Sequence, residues 1–444
     1  MSRSTIVTFL IAIALTLALV STKIRGADEI EYFSHLRSAV FDRDLDFANE
    51  YEHFYQANPQ GLQAFKETFL DRKEPKTNRP INFAPIGSAI AWAPFYYAAN
   101  ALVRRGIVRG PADGFSPAYT GAVAYGSAIL AILGFVLAFR ALRRFLGVSE
   151  GLALISVLAT WFGTPAFYYM TVAPAFAHAP SIFAVSLLFF LWLRAREKDG
   201  VFDWILMGLS AGFAMLIREQ ASLFLIAPGL DLGWRLVKGD IKRSLKRGIS
   251  VLGSAGLVFL PQLFAYQALN GTYGPTQLVQ RKMDFTAPHV FDVLLNPEHG
   301  LLFWTPFLIV SILGLIRAIG RLKAVGILVT LAFVAQIYIN GSVLSWHQAG
   351  AFGSRRFVDS TVLLVIGFAF GLMALRTRTQ KIIVALAIWW NLSLMVQFGL
   401  KLMDRQKLDW PGVAMRQVTE VPQRVLNVAK LYLTDPEALV KGSR

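Results

Sequence analysis

Two adjacent carboxylates follow the first apolar stretch of the chain, in the run Gly26-Ala27-Asp28-Glu29-Ile30-Glu31-Tyr32-Phe33-Ser34-His35. Carboxylates at the mouth of a membrane helix can take a proton from a hydroxyl or help to hold a cation. On a helix starting here, Asp28, Tyr32 and His35 share one face, at i, i+4 and i+7. The same residues also read as helix punctuation, with Asp28 as N-cap and Glu31 completing a capping box. Both readings stay open at this level.

Cations form a second set. Arg218, with Glu219 and Gln220, breaks the apolar run between Trp204 and Trp234. An Arg at such a place is costly unless it is paired, so it either neutralises Glu219 or holds an anion such as phosphate. Arg355 and Arg356 follow Trp346-His347-Gln348 in a loop on the side of the membrane that is otherwise poor in positive charge. Paired guanidinium forks suit phosphate; neutralisation of one of them by Asp359 is the alternative. His178, in Ala175-Phe176-Ala177-His178-Ala179-Pro180, tops a span and reads as an interfacial residue or a metal ligand. The acidic run Asp42-Arg43-Asp44-Leu45-Asp46 has Arg43 inside it and no completed calcium loop. It reads as a solvated turn, with Asp44 as a reserve candidate.

The elements that must position these groups are membrane helices. The 444 residues are 55% hydrophobic and 13% aromatic, with a mean hydropathy of +0.49, more apolar than a soluble domain tolerates. The formal charge of +16 sits mostly in short loops at the ends of apolar segments, as in Arg140, Arg143 and Arg144. That is the positive-inside pattern rather than a nucleic-acid surface. The absence of Cys excludes disulfides, thiolate catalysis and Cys-ligated metals.

This spacing predicts an all-α polytopic membrane protein with about eleven spans. Residues 1–22 read as a retained first transmembrane helix with a cytoplasmic N-terminus. Residues 23–117 read as a periplasmic loop carrying the acidic motif and interfacial helices, one of them at 84–103. Residues 118–400 form the transmembrane bundle, and 401–444 a periplasmic tail. Around Arg218 each apolar half has only about fourteen residues, short of the ~20 that cross hydrocarbon. Two short helices meeting at a shielded polar apex satisfy that constraint.

Asp-Glu-x-x-Tyr directly after the first span, a Pro-containing interfacial helix, and a second span ending in basic residues together resemble the GT-C superfamily of membrane glycosyltransferases. The likeness is to protein mannosyltransferases and the lipid A aminoarabinose transferase, and covers the layout of the first 230 residues or so. It includes Arg79-Pro80-Ile81-Asn82-Phe83-Ala84-Pro85-Ile86-Gly87, where relatives carry a Pro-rich segment. Relatives often show Lys-Pro-Pro there; this chain has Arg79-Pro80 and a separate Pro85. The resemblance implies transfer of a sugar from a polyprenyl-phosphate donor to a protein, lipid or glycan acceptor, at the periplasmic face of a bacterial inner membrane. It implies Asp28 as the catalytic acidic position and Glu29 as an acceptor or metal contact. Tyr32, Arg218, Arg355 and Arg356 fall to substrate binding. It further implies a divalent metal (Mg, Mn or Zn) in many relatives, for which Asp28, Glu29 and His178 are the donors expected here. Rival classes are a transporter or flippase of lipid-linked or anionic substrates, a non-catalytic scaffold, and a glycan polymerase or ligase. Uncharged spans with polar residues crowded on one face weigh against transport.

Overall fold

The computed structural model describes residues 1–280, 282–348 and 350–434. Residues 435–444 of the expected tail lie outside the described residues. Extended pairing among the described residues is limited to isolated bridges, Lys73 with Pro80 and Met283 with Val343. After α1 (Arg3–Ala18) the first long connector carries α2 (Ala27–Arg37), α3 (Ala48–Ala57) and α4 (Gly87–Arg104). The bundle follows with α5 (Pro117–Arg144), α6 (Glu150–Gly163), α7 (His178–Lys198), α8 (Val201–Ile217) and α9 (Ile226–Val237). Its second half is α10 (Ile241–Asn270), α11 (Leu308–Leu322), α12 (Ala324–Gly341), α13 (Thr361–Leu372) and α14 (Thr377–Gly399). Then come α15 (Trp410–Thr419) and α16 (Val421–Thr434).

Every apolar segment expected to span contains a helix, and five of them, α5, α7, α10, α12 and α14, are long and apolar enough to cross a bilayer. Helices α1, α6 and α8 are apolar but shorter. Two expected spans are interrupted. The segment 301–316 starts as a single turn, Leu301–Trp304, and restarts as α11 beyond Thr305 and Pro306. Pro306 lacks the N–H that a continuous helix needs, and it pushes Thr305 out of the helical region. The segment 357–375 opens as a 3₁₀ turn, Arg355–Ser360, before α13.

In the bundle α8 packs between α7 and α10, α5 lies against α7, and α11 against α12 and α13. Ile249, Leu252, Leu257 and Phe264 of α10 stay exposed. A stripe of this kind is stable where lipid is the solvent. The tail is not free where it begins, because Trp410 stacks on Trp390 with centroids 4.5 Å apart.

The first connector is a packed aromatic unit, whose helix α4 leaves Ile90, Tyr97 and Leu102 exposed. Glu29 to Leu36 of α2 are all buried. Phe33 meets Phe54, Tyr96 and Phe115 in the interior, while Tyr51 packs on Phe65 and Phe69. The acidic run is turned inward on its own backbone: Ser38 Oγ donates to Asp44 Oδ1 at 2.7 Å, and the Asp46 N–H does so at 3.1 Å. Asp42 and Glu50 pair with Arg37. Asp44 therefore serves the turn.

Asp28 is not the N-cap expected as one alternative. The cap is Gly26, one residue before the helix, and the Glu29 carboxylate reaches back to it. Glu29 Oε2 accepts the Gly26 N–H at 2.8 Å and the Arg25 N–H at 2.9 Å. This is the Glu half of a capping box, which a glycine cannot reciprocate with a side chain. Asp28, the second residue of the helix, is left free to face elsewhere.

α4 approaches the end of α8 through Gly87. A Cβ built there would stand 2.1 Å from Leu216 C and 2.3 Å from Ile217 N, the backbone just ahead of Arg218. Gly87→Val is expected to destabilise by about 1–3 kcal/mol, the usual cost of overpacking, and to displace Arg218; thermal unfolding of the purified variant checks it. Glu29 gives a second test. Burial raises its carboxyl from 4.5 to about 7, against the lowering effect of the Arg25 and Gly26 N–H groups. Between those values the unfolded chain has released a proton that the folded chain retains, so stability falls as pH rises through that window. The slope is at most about 1.4 kcal/mol per pH unit. Glu29→Gln, which can still accept both N–H groups, is expected to flatten the profile in denaturation series from pH 4.5 to 8.

Candidate active site

A cavity of about 740 Å³ opens where α2, the Phe83–Pro85 segment, the 218–223 break, the loop around 275–285 and the end of α12 converge. That is the size of a substrate pocket. Asp28, Glu31, Tyr32, His178, Arg218, Arg355 and Arg356 all line it, as does Lys282. Six of the residues singled out in the sequence are thus brought together from four distant parts of the chain. Leu223, Val279, Met283, Phe285, Ile339 and Val343 give the same cavity an apolar side.

The break at Arg218 has the form that its composition requires. α8 ends at Ile217, Arg218 is extended (φ −149°, ψ 117°), and a 3₁₀ turn, Glu219–Leu225, leads into α9. The partner of Arg218 is not Glu219. Its Nε lies 2.7 Å from Asp359 Oδ2, while Glu219 instead accepts the Tyr266 hydroxyl. Gln220 Nε2 also donates to Asp359 Oδ2, at 2.8 Å. Asp359 is wholly buried and is committed to this group, so it does not neutralise Arg355 or Arg356.

His178 is the first residue of α7 and is buried between Tyr169 and Phe176. Arg218 Nη1–H donates to His178 Nδ1 at 3.1 Å. A guanidinium cannot accept, so Nδ1 supplies the lone pair and the imidazole proton sits on Nε2. In that state neither ring nitrogen has a lone pair for a metal. The three donors expected for a cation are not assembled: Glu29 caps α2 and His178 serves Arg218. Among the described residues no group of three His, Asp or Glu side chains is arranged to hold a metal. The residues present do not fit the metal site that the resemblance implied.

Asp28 points its carboxylate at Arg355, Oδ2 to Nη1 at 3.2 Å. The Arg355 guanidinium also lies over the Phe176 ring, 5.5 Å from its centroid. Burial disfavours charge on Arg355, but Asp28, with Tyr169 and Tyr32, more than offsets it and raises its pKa. Arg356 has no such partner. Its Nη2 donates to Ser345 Oγ and its backbone N–H to Gln348 Oε1, both at 3.1 Å. Its Nη1 is buried without an acceptor, and among the described residues no carboxylate is within ion-pair distance of it. Burial, then the charges of Arg355 and Arg218, pull its pKa down to about 9. Such a cation is short of an anion.

Two contributors to the cavity escaped the sequence as site residues. Glu31 was visible only as a capping partner; its Oε1 accepts the Phe83 N–H at 2.6 Å. Burial first, and then the Asp28 charge, push its carboxyl well above the usual range. Lys282, over the Phe83 ring at 4.4 Å, carried no distinguishing signal. Tyr32 packs edge-on against Trp92, and burial raises its hydroxyl so that it remains a donor.

The sequence model of the dolichyl-phosphate-mannose-protein mannosyltransferase family matches residues 119–264, a third of the chain. No curated protein sequence matches. Among solved structures, the chain is similar to ArnT from Cupriavidus metallidurans bound to undecaprenyl phosphate, with a TM-score of 0.57 and 13% identity over 94% of this chain and 75% of that one. It is also similar to the same protein in its apo state, with a TM-score of 0.53 and 14% identity over the same shares. At this identity the likeness is one of fold. The chain thus shares the all-helical fold of that structure, with five helices among the described residues long and apolar enough to cross a membrane, and its middle third matches the mannosyltransferase model.

Proposed function

We propose that the chain is a glycosyltransferase that moves a sugar from a polyprenyl-phosphate donor to a hydroxyl acceptor at the lipid–water boundary, on the periplasmic face of a bacterial inner membrane. The observation that carries this reading is the convergence of Asp28 with Arg218, Arg355 and Arg356 in one cavity, where Arg356 lacks a counter-ion. The similar ArnT structure binds undecaprenyl phosphate, a lipid whose phosphate and apolar tail match the two sides of this cavity.

In the proposed reaction the acceptor oxygen bonds to the sugar's anomeric carbon as the bond from that carbon to the carrier phosphate breaks. The electron pair of the broken bond leaves with the phosphate, and the acceptor proton passes to Asp28. Arg355, 3.2 Å from Asp28 Oδ2, fixes the direction of the carboxylate that receives that proton. Arg356 and Arg218 face the leaving phosphate, on which negative charge grows, and fixed cations stabilise it most where it is most charged. The Tyr32 hydroxyl, which remains protonated, is a donor to sugar or phosphate oxygen. No step is assigned to a metal, because the donor set does not fit one.

Purified protein in lipid is offered a panel of labelled polyprenyl-phosphate sugars with a membrane extract as acceptor, and release of the carrier phosphate is followed. Asp28→Asn is expected to lower kcat by about 10²–10⁴-fold, the usual range for loss of a positioned base. Arg356→Gln is expected to weaken donor binding about tenfold to a hundredfold, as for loss of a charged hydrogen bond of about 1.5–3 kcal/mol. Equal release by wild type and folded Asp28→Asn would remove Asp28 from the mechanism. Absence of release with every donor would favour the transporter class.

A further inference from the structure

A second cavity, of about 820 Å³, lies among the ends of α5 and α7 and the starts of α1 and α6. α7 starts at His178 in the candidate active site and runs 21 residues to Lys198 beside this cavity. At ~1.5 Å per residue the two cavities are about 30 Å apart, the thickness of a hydrocarbon core. The second cavity therefore sits at the opposite membrane interface.

Its charge is lopsided. Arg140, Arg143, Arg144, Arg194 and Lys198 line it, against Glu150 and Glu197. Both acids are engaged: Glu197 takes Arg144 at 2.9 Å, and Glu150 accepts the Ser2 N–H at 2.6 Å. Arg194 pairs outside the cavity with Asp203 at 2.8 Å. Arg143 reaches only the Val148 carbonyl, at 2.8 Å. Among the described residues, Arg140, Arg143 and Lys198 have no carboxylate within ion-pair distance.

Apolar surface continues from these cations toward the middle of the bundle. Phe139, Phe145 and Phe190 line the cavity with Ile6. Phe9 seats α1 against Phe139 of α5, with ring centroids 5.4 Å apart. Ile6 and Leu10 of α1, and Leu133 of α5, are exposed. Leu133 lies seven residues before Arg140, so the two share a helix face. A cluster of unpaired cations at the interface, above an apolar track directed into the hydrocarbon, matches a molecule with a phosphate head and acyl chains. We infer that this cavity binds the phosphate headgroup of an anionic phospholipid, at a site separate from the candidate active site.

The full chain, delipidated in a neutral detergent, is titrated with phosphatidylglycerol, phosphatidylcholine or inorganic phosphate. Bound lipid is read by native mass spectrometry and stability by thermal unfolding. Phosphatidylglycerol is expected to bind and raise Tm by several degrees, with little effect from the other two. The triple variant Arg140→Gln, Arg143→Gln, Lys198→Gln is expected to lose at least tenfold in affinity for phosphatidylglycerol. Arg140→Lys, which keeps the charge, is expected to retain it. Equal binding of both lipids, or retention by the triple variant, would overturn the site. Saturation by inorganic phosphate alone would make it a free-anion site and overturn the lipid reading. Should the triple variant not fold, Arg140→Gln against Arg140→Lys decides the same question, since equal affinity of those two would overturn it.

Discussion

The site depends on a buried charge pair between Arg218 and Asp359. The pair joins three elements that are remote in sequence: the helix break after α8, the first residue of α7 through His178, and the 3₁₀ turn that opens α13. Desolvating two such groups costs several kcal/mol per ion, and only close contact with further hydrogen bonds offsets it. Gln220 and His178 supply those bonds. The arrangement explains why α8 stops where it does. An extended Arg218 turns its guanidinium inward to Asp359, which a continued helix would direct elsewhere.

Because Asp359 is spent on Arg218, the rest of the cavity must divide its charge without it. Asp28 takes Arg355, and Arg356 is left with neutral partners. The capping of α2 by Glu29 matters for the same reason. Were Asp28 the N-cap, its carboxylate would be turned to backbone N–H groups and Arg355 would lose its counter-ion. Gly26, by offering no side chain, leaves the cap to Glu29 and the cavity to Asp28.

The broken helix was legible in the sequence because its cost is local: two apolar halves too short to span, with an Arg between them, admit few arrangements. The all-helical, membrane-spanning character was legible for the same reason, since lipid demands apolar length and loops carry the compensating charge. Pairings were not legible. Glu219 is the neighbour of Arg218 in sequence, yet the 3₁₀ turn points it to Tyr266. Asp28 and Arg355 stand near opposite ends of the chain, and no local pattern relates them. The aromatic packing of the first connector was not legible, because its alternation of aromatic and polar residues fits an interfacial helix as well as a packed aromatic core. The contacts of Phe33, Tyr51 and Phe115 show the packing that the sequence did not.

The buried carboxyls bias the charge of the cavity. Arg218, Arg355, Arg356 and Lys282 face Asp28, Glu31 and Glu219, with Asp359 behind Arg218. If every carboxylate were ionised, the charges would cancel and an anionic donor would gain nothing on entry. Burial raises the Glu31 carboxyl well above its usual range, and burial raises Glu219 as well, which biases the cavity toward an excess of cation. A sugar esterified to a carrier phosphate has one negative charge on that phosphate, and the departing phosphate gains more as the bond breaks. A surplus of fixed positive charge therefore favours the departing state over the arriving one, which is the direction that lowers a barrier rather than merely tightening binding. The apolar packing that buries Glu31 beside Phe83 is thus tied to the chemistry proposed for Asp28, although Glu31 need not touch the reacting atoms.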